Sequence, residues 1–372
     1  ERQLINALSK RVAKVYVFAL EDVKVLMRSR GIKIPRNMTI IPVPVISLPF
    51  LPTIFMFIIS YILALLLLIL RPILKIDVIY VRYPPLATGI LSFSSLAQRT
   101  IVKIASIIED ELRYKGLARL LAKEFFTFTD KVALLKARAI AMASKTLYYE
   151  LLKRRGVKRG RMFVEVTPGV DLNLARRIQR SKKPSHVSSN RPFIVCFLGT
   201  LAWWQGVDIL VKALAQLRKR GVALKLLIIG DGPMRSLIER MLKELHIDYE
   251  ITGFISHEEA LKRLSTVDAL VLPRRHASTT EHVIPIKVIE AWALGVPVIV
   301  TKHEVFFEHG VRDLEDVIYC EPEPSSVANA ILMLLNNPDL GGRLRTNGIK
   351  LAMKFDYDRI AENMLKVMER CR

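Results

Sequence analysis

Between residues 193 and 301, short apolar runs alternate with longer amphipathic segments, and this alternation limits the possible folds more than any other feature. The apolar runs predict strands at 193–198, 224–229, 249–252, 268–272 and 297–301, and the segments between them predict helices at 206–220, 234–246, 257–265 and 285–294. Strands that are apolar on both faces and separated by helices are typical of parallel sheets covered on both sides. The sequence therefore predicts a doubly wound α/β domain.

The first half of the chain shows a looser form of the same alternation. It predicts strands at 13–20, 38–43, 76–81, 101–105 and 162–166, and helices at 117–126 and 132–155. A chain of 372 residues has room for two domains. We therefore predict an N-terminal α/β domain at 1–174, a basic linker at 175–192, a second α/β domain at 193–340, and a helical tail at 341–372 that packs back on the first domain.

The net charge of +22 is concentrated in the first half, where residues 1–174 carry 28 Lys and Arg against 12 Asp and Glu. Such a basic half indicates an anionic partner, which is a nucleic acid, an acidic membrane surface or a phosphorylated substrate. Nucleic acid is disfavoured because the sequence contains no Cys/His finger and no RNP-type aromatic strand. The three cysteines, Cys196, Cys320 and Cys371, lie far apart and form no CxxC pair, so the sequence supports neither a disulfide framework nor a zinc site.

A long apolar stretch makes an anionic membrane the favoured partner. No charged residue occurs from Asn37 to Leu70, and residues 50–70 are long enough to span a bilayer. If the strands at 13–20 and 76–81 share one sheet, the stretch between them cannot cross. We therefore expect a membrane-associating helix that is partly buried against its domain and partly seated in the cytoplasmic face of the cell membrane, with basic residues at its end. A true span and a buried core helix are the alternatives.

Polar and glycine-containing loops follow the predicted strands of the second half. They read GTLAWWQGVD, GDGP, GFISHEE and PRRHASTTEHVIP. The carboxyl ends of parallel strands lie at one edge of a sheet, where backbone N–H groups and helix N-termini favour an anion. A single loop of this kind is most often only a tight turn, but four loops on one edge predict a phosphate-binding site.

Taken together and in this order, these segments resemble the donor-binding domain of the family 4 retaining glycosyltransferases, which have the two-domain GT-B fold. The resemblance is carried by VTPGVDLNLA, FLGTLAWWQGVDILVKAL, LLIIGDGPMRSLIERML, ITGFISHEEALKRLSTVDALVLP and PIKVIEAWALGVPVIVT, which lie between about residues 160 and 305. It implies two Rossmann-like α/β domains facing across a cleft. It also implies hexosyl transfer from a nucleoside-diphosphate sugar to a lipid-linked or glycan acceptor, with no metal and no further cofactor.

The resemblance also implies where the donor binds. Glu290 would accept hydrogen bonds from the ribose hydroxyls, Lys287 would lie near phosphate or ribose, and the N-terminus of the helix that carries both would face the diphosphate. Phe254 would contact the edge of the base through its backbone. The expected donor-binding residues are Gly199, Thr200, Gln205, Gly230, Gly232, Phe254, Arg275, Val283, Ile284, Ile286, Lys287 and Glu290.

The chain departs from the family pattern beside the expected sugar. The family commonly has a glutamate eight positions before the ribose glutamate, and that position is His282 here, with Glu281 one residue off register. Because the family's glutamate orients the sugar, Glu281 and His282 are candidate catalytic residues, together with Arg274.

A second departure concerns the diphosphate. The family often places Arg and Lys on the first loop of this domain, and the corresponding residues here are Thr200 and Gln205. We expect Arg274 and Arg275, on the facing loop, to supply the missing positive charge.

Two other functions are compatible with the sequence. A non-catalytic, membrane-bound module that keeps nucleotide binding would account for the departures from the family pattern. A GT-B nucleotide-sugar epimerase would need acid/base carboxylates, for which Asp110 and Glu111 are the candidates. In addition, the opening segment ERQLINALSKR resembles the first helix of the family. The strand and Gly-rich loop that precede this helix in the family are therefore expected to be missing.

Overall fold

The computed structural model describes residues 2–19, 36–42, 52–107, 116–181 and 191–370. Asp110 and Glu111 lie outside the described residues. The chain divides into two compact units: unit 1 comprises Glu1–Val166 with Tyr357–Arg372, and unit 2 comprises Thr167–Asp356. The parallel α/β character predicted for both halves is found in both units.

Unit 1 contains two groups of parallel strands. Its strands are β1 (Val15–Ala19), β2 (Met38–Pro42), β3 (Ile79–Val81), β4 (Thr100–Lys103), β5 (Ala139–Met142) and β6 (Met162–Glu165). Its first helices are α1 (Arg2–Ser9), α2 (Pro52–Leu74), α3 (Pro84–Leu91), α4 (Ser94–Ala97), α5 (Gly116–Lys136) and α6 (Lys145–Arg155). β1 pairs with β2, and β3, β4, β5 and β6 form a separate sheet in that order.

The predicted helix at 132–155 is wrong, because β5 lies inside it. All four residues of β5 are fully buried between β4 and β6. The run AIAM is short and apolar, and periodicity alone does not distinguish a buried strand from part of a buried helix. α5 ends before β5, and α6 begins after it with Ser144 as its N-cap, where the hydroxyl accepts a hydrogen bond from the Leu147 N–H at 3.1 Å.

The strands on either side of the apolar stretch do not share a sheet among the described residues. β1 pairs only with β2, whereas β3 pairs with β4. The strand pairing therefore does not prevent residues 50–70 from crossing a membrane. By length and composition, residues Met56–Leu74 form a helix that could cross a membrane, and about a quarter of it, 28%, is buried inside the protein.

α2 nevertheless packs closely against its own unit along one face. The Gly89 N–H on α3 donates a hydrogen bond to the Ser60 hydroxyl at 3.0 Å, and a Cβ added to Gly89 would overlap the backbone of Ser60. Ala64 and Leu67 are buried on the same face. The opposite face carries exposed apolar side chains, namely those of Ile58, Ile62, Leu65, Leu66, Ile69 and Ile73.

Unit 2 is built on a six-stranded parallel sheet. Its strands are β7 (Phe193–Leu198), β8 (Leu224–Ile229), β9 (Asp248–Ile251), β10 (Ala269–Leu272), β11 (Val298–Thr301) and β12 (Ile318–Cys320), in the order β12-β11-β10-β7-β8-β9. Its helices are α7 (Leu172–Ser181), α8 (Val207–Lys219), α9 (Arg235–Glu244), α10 (His257–Leu264), α11 (Ser278–Glu281), α12 (Ile286–Ala293), α13 (Glu304–Glu308), α14 (Pro324–Leu335) and α15 (Pro338–Ala352).

Unit 2 differs from the sequence prediction in several places, among them the short helices α11 and α13, which were not predicted. The first part of the predicted linker at 175–192 is helical, because Ala175 and Ile178 lie on one face of α7 and are buried in the core of unit 2. β12 was not predicted at all. The predicted boundary between 340 and 341 falls inside α15, which packs against α12 where Gly348 meets Trp292.

The last helix, α16 (Tyr357–Glu369), returns to unit 1 and packs against α1. Arg11 pairs with Asp358 at 2.8 Å and with Glu362 at 3.2 Å across this contact. The apolar faces of both helices are buried beside β4, β5 and β6. The helical tail is therefore divided, with α15 in unit 2 and α16 in unit 1.

Candidate functional site

The strand order of unit 2 places a crevice between β7 and β10. The chain runs outward from β7 to β8 and β9 on one side, and from β10 to β11 and β12 on the other. Loops after β7 and β10 therefore leave the sheet in opposite directions, and ligands of doubly wound folds bind at such a point. Both loops were singled out by the sequence as carriers of polar and charged residues.

Glycines allow the loops on the β8 side to approach each other at backbone distance. Gly230 has a φ of 136°, and a Cβ added to it would overlap the carbonyl oxygen of Gly199. A Cβ on Gly232 would lie 2.6 Å from the backbone nitrogen of Leu201. These glycines bring the loops after β7 and β8 into contact, and a larger residue at either position would separate them.

Lys287 points from α12 into the loop after β7. Its Nζ donates a hydrogen bond to Gln205 Oε1 at 2.9 Å and lies 5.0 Å from the ring centre of Phe197. A Cβ on Gly199, whose φ is 130°, would come within 2.6 Å of this Nζ. The side chain is buried, and burial, together with the nearby charge of Arg274, lowers the pKa of Lys287 to about 7.

Arg274 is a buried cation without a full set of hydrogen-bond partners. The residue is 7% exposed, and among the described residues its Nε and Nη1 atoms have no acceptor. Burial lowers the pKa of Arg274 to about 10, although the negative charge of Glu281 opposes this shift, so the guanidinium is protonated at neutral pH. Buried N–H groups without acceptors cost free energy, which an anion in the crevice would offset.

Arg275 is occupied by other contacts. Its guanidinium makes a bidentate pair with Asp208, at 3.0 and 2.6 Å, and donates to the carbonyl of Trp203 at 2.6 Å. It also stacks on the Trp203 ring, with 4.8 Å to the ring centre. Arg275 thus connects the loop after β10 to the loop after β7. The expectation that it presents an open cation to the diphosphate is therefore wrong.

Glu290 is held by a histidine that the sequence analysis did not single out. The carboxylate is 5% exposed, and its Oε1 lies 2.7 Å from Nε2 of His257, the first residue of α10. This hydrogen bond raises the pKa of His257, although partial burial opposes the shift. Lys287 and Glu290 share a face of α12 as predicted, but they have separate partners on separate loops.

Glu281 lies between two histidines. Its Oε1 is 2.7 Å from Nδ1 of His276 and 2.9 Å from Nδ1 of His303, and its Oε2 is 3.4 Å from the backbone nitrogen of Glu304. Although burial raises the pKa of Glu281, hydrogen bonds from His276 and His303 lower it overall. Burial lowers the pKa of His303 to about 4, so this imidazole is neutral. His276 and His303 were not singled out by sequence.

The other predicted site residues occupy the rim of the same crevice or its core. Thr200 is exposed, and Phe254 is 82% exposed after Gly253. His282 and Val283 are half-buried at the end of α11. Ile286 is exposed at the start of α12, whereas the side chain of Ile284 is packed in the core of unit 2, so it can meet a ligand only through its backbone.

Comparison with known proteins finds that this unit is similar to glycosyltransferases. Residues 178–351 match the family model described as Glycosyl transferases group 1. Alpha-D-kanosaminyltransferase from Streptomyces kanamyceticus is 30% identical over 183 residues, which cover 47% of this chain and 45% of that protein. GDP-mannose-dependent alpha-(1-6)-phosphatidylinositol dimannoside mannosyltransferase from Mycobacterium tuberculosis is 27% identical over 209 residues, 55% of this chain and 51% of that protein.

The chain thus spans about half the length of the curated relatives it matches. Among solved structures, HepE from Anabaena in complex with UDP superimposes with a TM-score of 0.72 at 16% identity, covering 99% of this chain and 95% of HepE. This likeness shows the fold, which is the α/β GT-B fold predicted from the sequence. Residues 178–351 therefore match the Glycosyl transferases group 1 family model, within a chain that has the GT-B fold.

Proposed function

We propose that this protein is a retaining hexosyltransferase that uses a nucleoside-diphosphate sugar as its donor. The observation that carries the proposal is the buried Arg274, whose Nε and Nη1 lack acceptors at the switch point of the sheet. A diphosphate has the charge and the oxygen atoms to occupy these donors. The matched domain family and the likeness to a structure solved with UDP support the same donor class.

Three groups would hold the donor. Glu290 Oε1 is already bound to His257, which fixes the carboxylate so that it can accept hydrogen bonds from ribose hydroxyls. Arg274 and the N-terminus of α12 would bind the diphosphate. Lys287 would join them by exchanging its hydrogen bond with Gln205 for one with a phosphate oxygen. The exposed backbone at Gly253 and Phe254 would meet the base.

Catalysis would rest on these cations. When the bond between the anomeric carbon and the phosphate oxygen breaks, the departing nucleoside diphosphate gains negative charge, which Arg274 and Lys287 would stabilise. Because no enzymic nucleophile is proposed, retention would require the acceptor hydroxyl to attack the anomeric carbon from the face that the diphosphate leaves and to transfer its proton to the departing phosphate oxygen. Glu281 and His282 would orient the sugar, and the contacts of Glu281 with His276 and His303 fix the direction of its carboxylate.

The acceptor would be lipid-linked or otherwise membrane-associated. The exposed face of α2 carries apolar side chains such as Ile62, Leu65 and Ile69, and a helix of this kind can bury one face in the interfacial region of a bilayer. The basic first half of the chain would favour an anionic leaflet, which is the cytoplasmic one. A protein seated there would meet an acceptor anchored in the same membrane.

A panel of nucleoside diphosphates, titrated calorimetrically into the full-length protein, tests the donor site. We expect one base to be preferred and Arg274→Gln to weaken the binding of that diphosphate about tenfold or more, because a charge-assisted hydrogen bond is lost. The affinity for the corresponding nucleoside should change little. Arg240→Gln, which removes an exposed arginine of α9, is the matched control.

Two outcomes would contradict the proposal. If no nucleoside diphosphate binds, the proposed donor site is wrong. If Arg274→Gln weakens the binding of diphosphate and nucleoside equally, Arg274 does not contact the diphosphate. Catalysis is tested separately by incubating the preferred nucleotide sugar with membrane extract and identifying the anomer formed by NMR. Binding without turnover would favour the non-catalytic module, and an inverted anomer would exclude retention.

A further inference from the structure

His276, Glu281 and His303, called here the His–Glu–His cluster, bring three potential metal ligands together. One ligand atom from each residue lies within 4.8 Å of the other two. His276 comes from the loop after β10, Glu281 from the end of α11, and His303 from the residue just before α13. The cluster is thus assembled from the ends of two neighbouring strands of the rigid central sheet, which position it independently of any ligand.

The composition and spacing of the cluster suit a borderline transition-metal ion. Two imidazoles and one carboxylate form a known ligand set of open zinc sites, with bond lengths of about 2.0–2.2 Å. Ligand atoms around such an ion are about 3.3 Å apart in tetrahedral geometry. The Glu281 oxygen now lies 2.7 and 2.9 Å from the two Nδ1 atoms, so an outward movement of a few tenths of an ångström would admit the ion.

Two of the three ligands also have outer partners. The second ring nitrogen of His276, Nε2, lies 3.7 Å from a carboxylate oxygen of Glu321. The second carboxylate oxygen of Glu281 lies 3.4 Å from the backbone N–H of Glu304. Metal-binding histidines usually donate their other N–H to a carboxylate or a carbonyl, which orients the ring and makes it a better ligand. A cluster held together only by hydrogen bonds among its three side chains would not require a carboxylate such as Glu321 beside His276.

We propose that the His–Glu–His cluster binds one divalent transition-metal ion of the zinc class. This differs from the sequence expectation of no metal, which rested on cysteine spacing and on the family resemblance. His276 and Glu281 are five residues apart and His303 lies 22 residues beyond Glu281, a spacing that matches no recognised metal-binding motif. The positive charge of Arg274, which interacts with both Glu281 and His303, opposes a metal ion. An anion bound to Arg274 would weaken this repulsion, so nucleoside diphosphate and metal should each strengthen the binding of the other.

Metal content measured on the full-length protein tests the proposal. After treatment with a chelator and dialysis against Zn²⁺, we expect about one equivalent of zinc per chain, as for a single defined site. We expect almost none in His276→Ala or His303→Ala. Bound Co²⁺ should give the visible absorption of a low-symmetry site in the wild type and lose it in both variants. His246→Asn, at an exposed histidine in the left-handed conformation, is the control and should keep the metal.

Folding is checked separately, because His303 is buried and its loss can destabilise unit 2. Each protein is melted in chelator and again in Zn²⁺, and we expect Zn²⁺ to raise the melting temperature of the wild type and the control only. His276 is half-exposed, so His276→Ala should fold. A wild type that retains no zinc, or variants that retain as much as the wild type, would show that the cluster is only a hydrogen-bonded group. Neither result depends on nucleotide binding.

Discussion

Two apolar helices of this protein break the usual rule of burial in opposite directions. α12, in unit 2, buries two charged residues, Lys287 and Glu290. α2, in unit 1, exposes apolar residues along a whole face, with Ile69 at 63% exposure. A buried charge and an exposed apolar face both cost free energy unless something compensates. Each helix therefore marks a surface where a ligand is expected, a polar one at α12 and an apolar one at α2.

The compensation in the two helices is of different kinds. In α12 it is partly internal, because Gln205 and His257 already satisfy the charged groups. In α2 the buried face packs against α3 and its Ser60 hydroxyl accepts a hydrogen bond from that helix. No described residue covers the opposite face. We therefore expect changes in α12 to alter the affinity for a small ligand, and changes in the exposed face of α2 to alter attachment to a surface.

The largest effect is expected from Glu290→Ala. It removes the buried carboxylate that we propose accepts hydrogen bonds from ribose hydroxyls, and it should weaken nucleoside-diphosphate binding by about 1.5–3 kcal/mol, because the lost hydrogen bonds involve a charged group. Calorimetric titration measures the change, with Glu244→Ala, an exposed glutamate of α9, as control. Unchanged affinity in Glu290→Ala would contradict the proposal that α12 binds the ribose.

A smaller effect is expected where α2 meets α3. In Gly89→Ala the new Cβ would overlap the backbone of Ser60, and overpacking of this kind costs about 1–3 kcal/mol of unfolding free energy. Urea unfolding measures the loss. Gly342→Ala, in α15, is the control, because a Cβ there meets no atom within 4 Å and should slightly stabilise its helix. Equal stability of Gly89→Ala and the wild type would mean that α2 separates from its unit.

Membrane attachment should weaken when the exposed apolar face of α2 is made polar, and this effect should be smaller again. Ile69→Ser removes an apolar side chain that would be buried in lipid, and partial burial of an isoleucine contributes about 1–1.5 kcal/mol, roughly a tenfold change in partitioning. Co-sedimentation with anionic vesicles measures it. Leu237→Ser, at an exposed leucine of unit 2, serves as the control. Equal losses in both variants would contradict a specific role for α2.

A separate effect, measured as a slope with pH and not ranked with the affinities above, is a pH dependence from Lys287. Its pKa of about 7 lies below its usual value, because burial and Arg274 disfavour the charged form. Above pH 7 the folded protein holds fewer protons at this site than the unfolded chain, so Lys287 should make the free energy of unfolding rise from about pH 7 to pH 10.5. Comparison with Lys287→Met isolates this slope, and identical slopes in the two proteins would contradict it.

The same residue should couple nucleotide binding to proton uptake. A diphosphate favours the charged lysine, so binding near pH 8 should draw a proton from the buffer. The measured enthalpy should then vary with the ionisation enthalpy of the buffer. Lys287→Met should lose this part of the variation, while uptake by the phosphate itself remains. A buffer dependence that is the same in both proteins would show that Lys287 stays neutral in the complex.

The sequence predicted the features of the fold that are formed by one continuous segment of the chain, such as single strands and helices. Strands β7, β8, β9, β10 and β11 were predicted to within about two residues, because most of them are short, mainly apolar runs between amphipathic helical segments. β12, only three residues long, carries too weak a signal. Helix α12 was predicted together with its two charged residues, since i and i+3 positions share a face.

Contacts between distant parts of the chain were not predictable in this way. His257 reaches Glu290, and Asp208 holds Arg275, through pairings that depend on how the strands are arranged. Arg274 and Arg275 look equivalent in the sequence, yet only Arg274 lacks acceptors among the described residues. Similarly, the separate sheets of unit 1 are a matter of pairing between strands, which a pattern of apolar residues does not specify.

The contact of Arg275 with Asp208 and Trp203 has a consequence for the thermodynamics of recognition. Because the bidentate pair and the stacked ring join the loops after β7 and β10, both loops are ordered when unit 2 folds. The conformational entropy of ordering this rim is then lost during folding and not during association. A ligand entering between the loops meets a preorganised rim, and its rate of association should be limited by diffusion and charge rather than by loop closure.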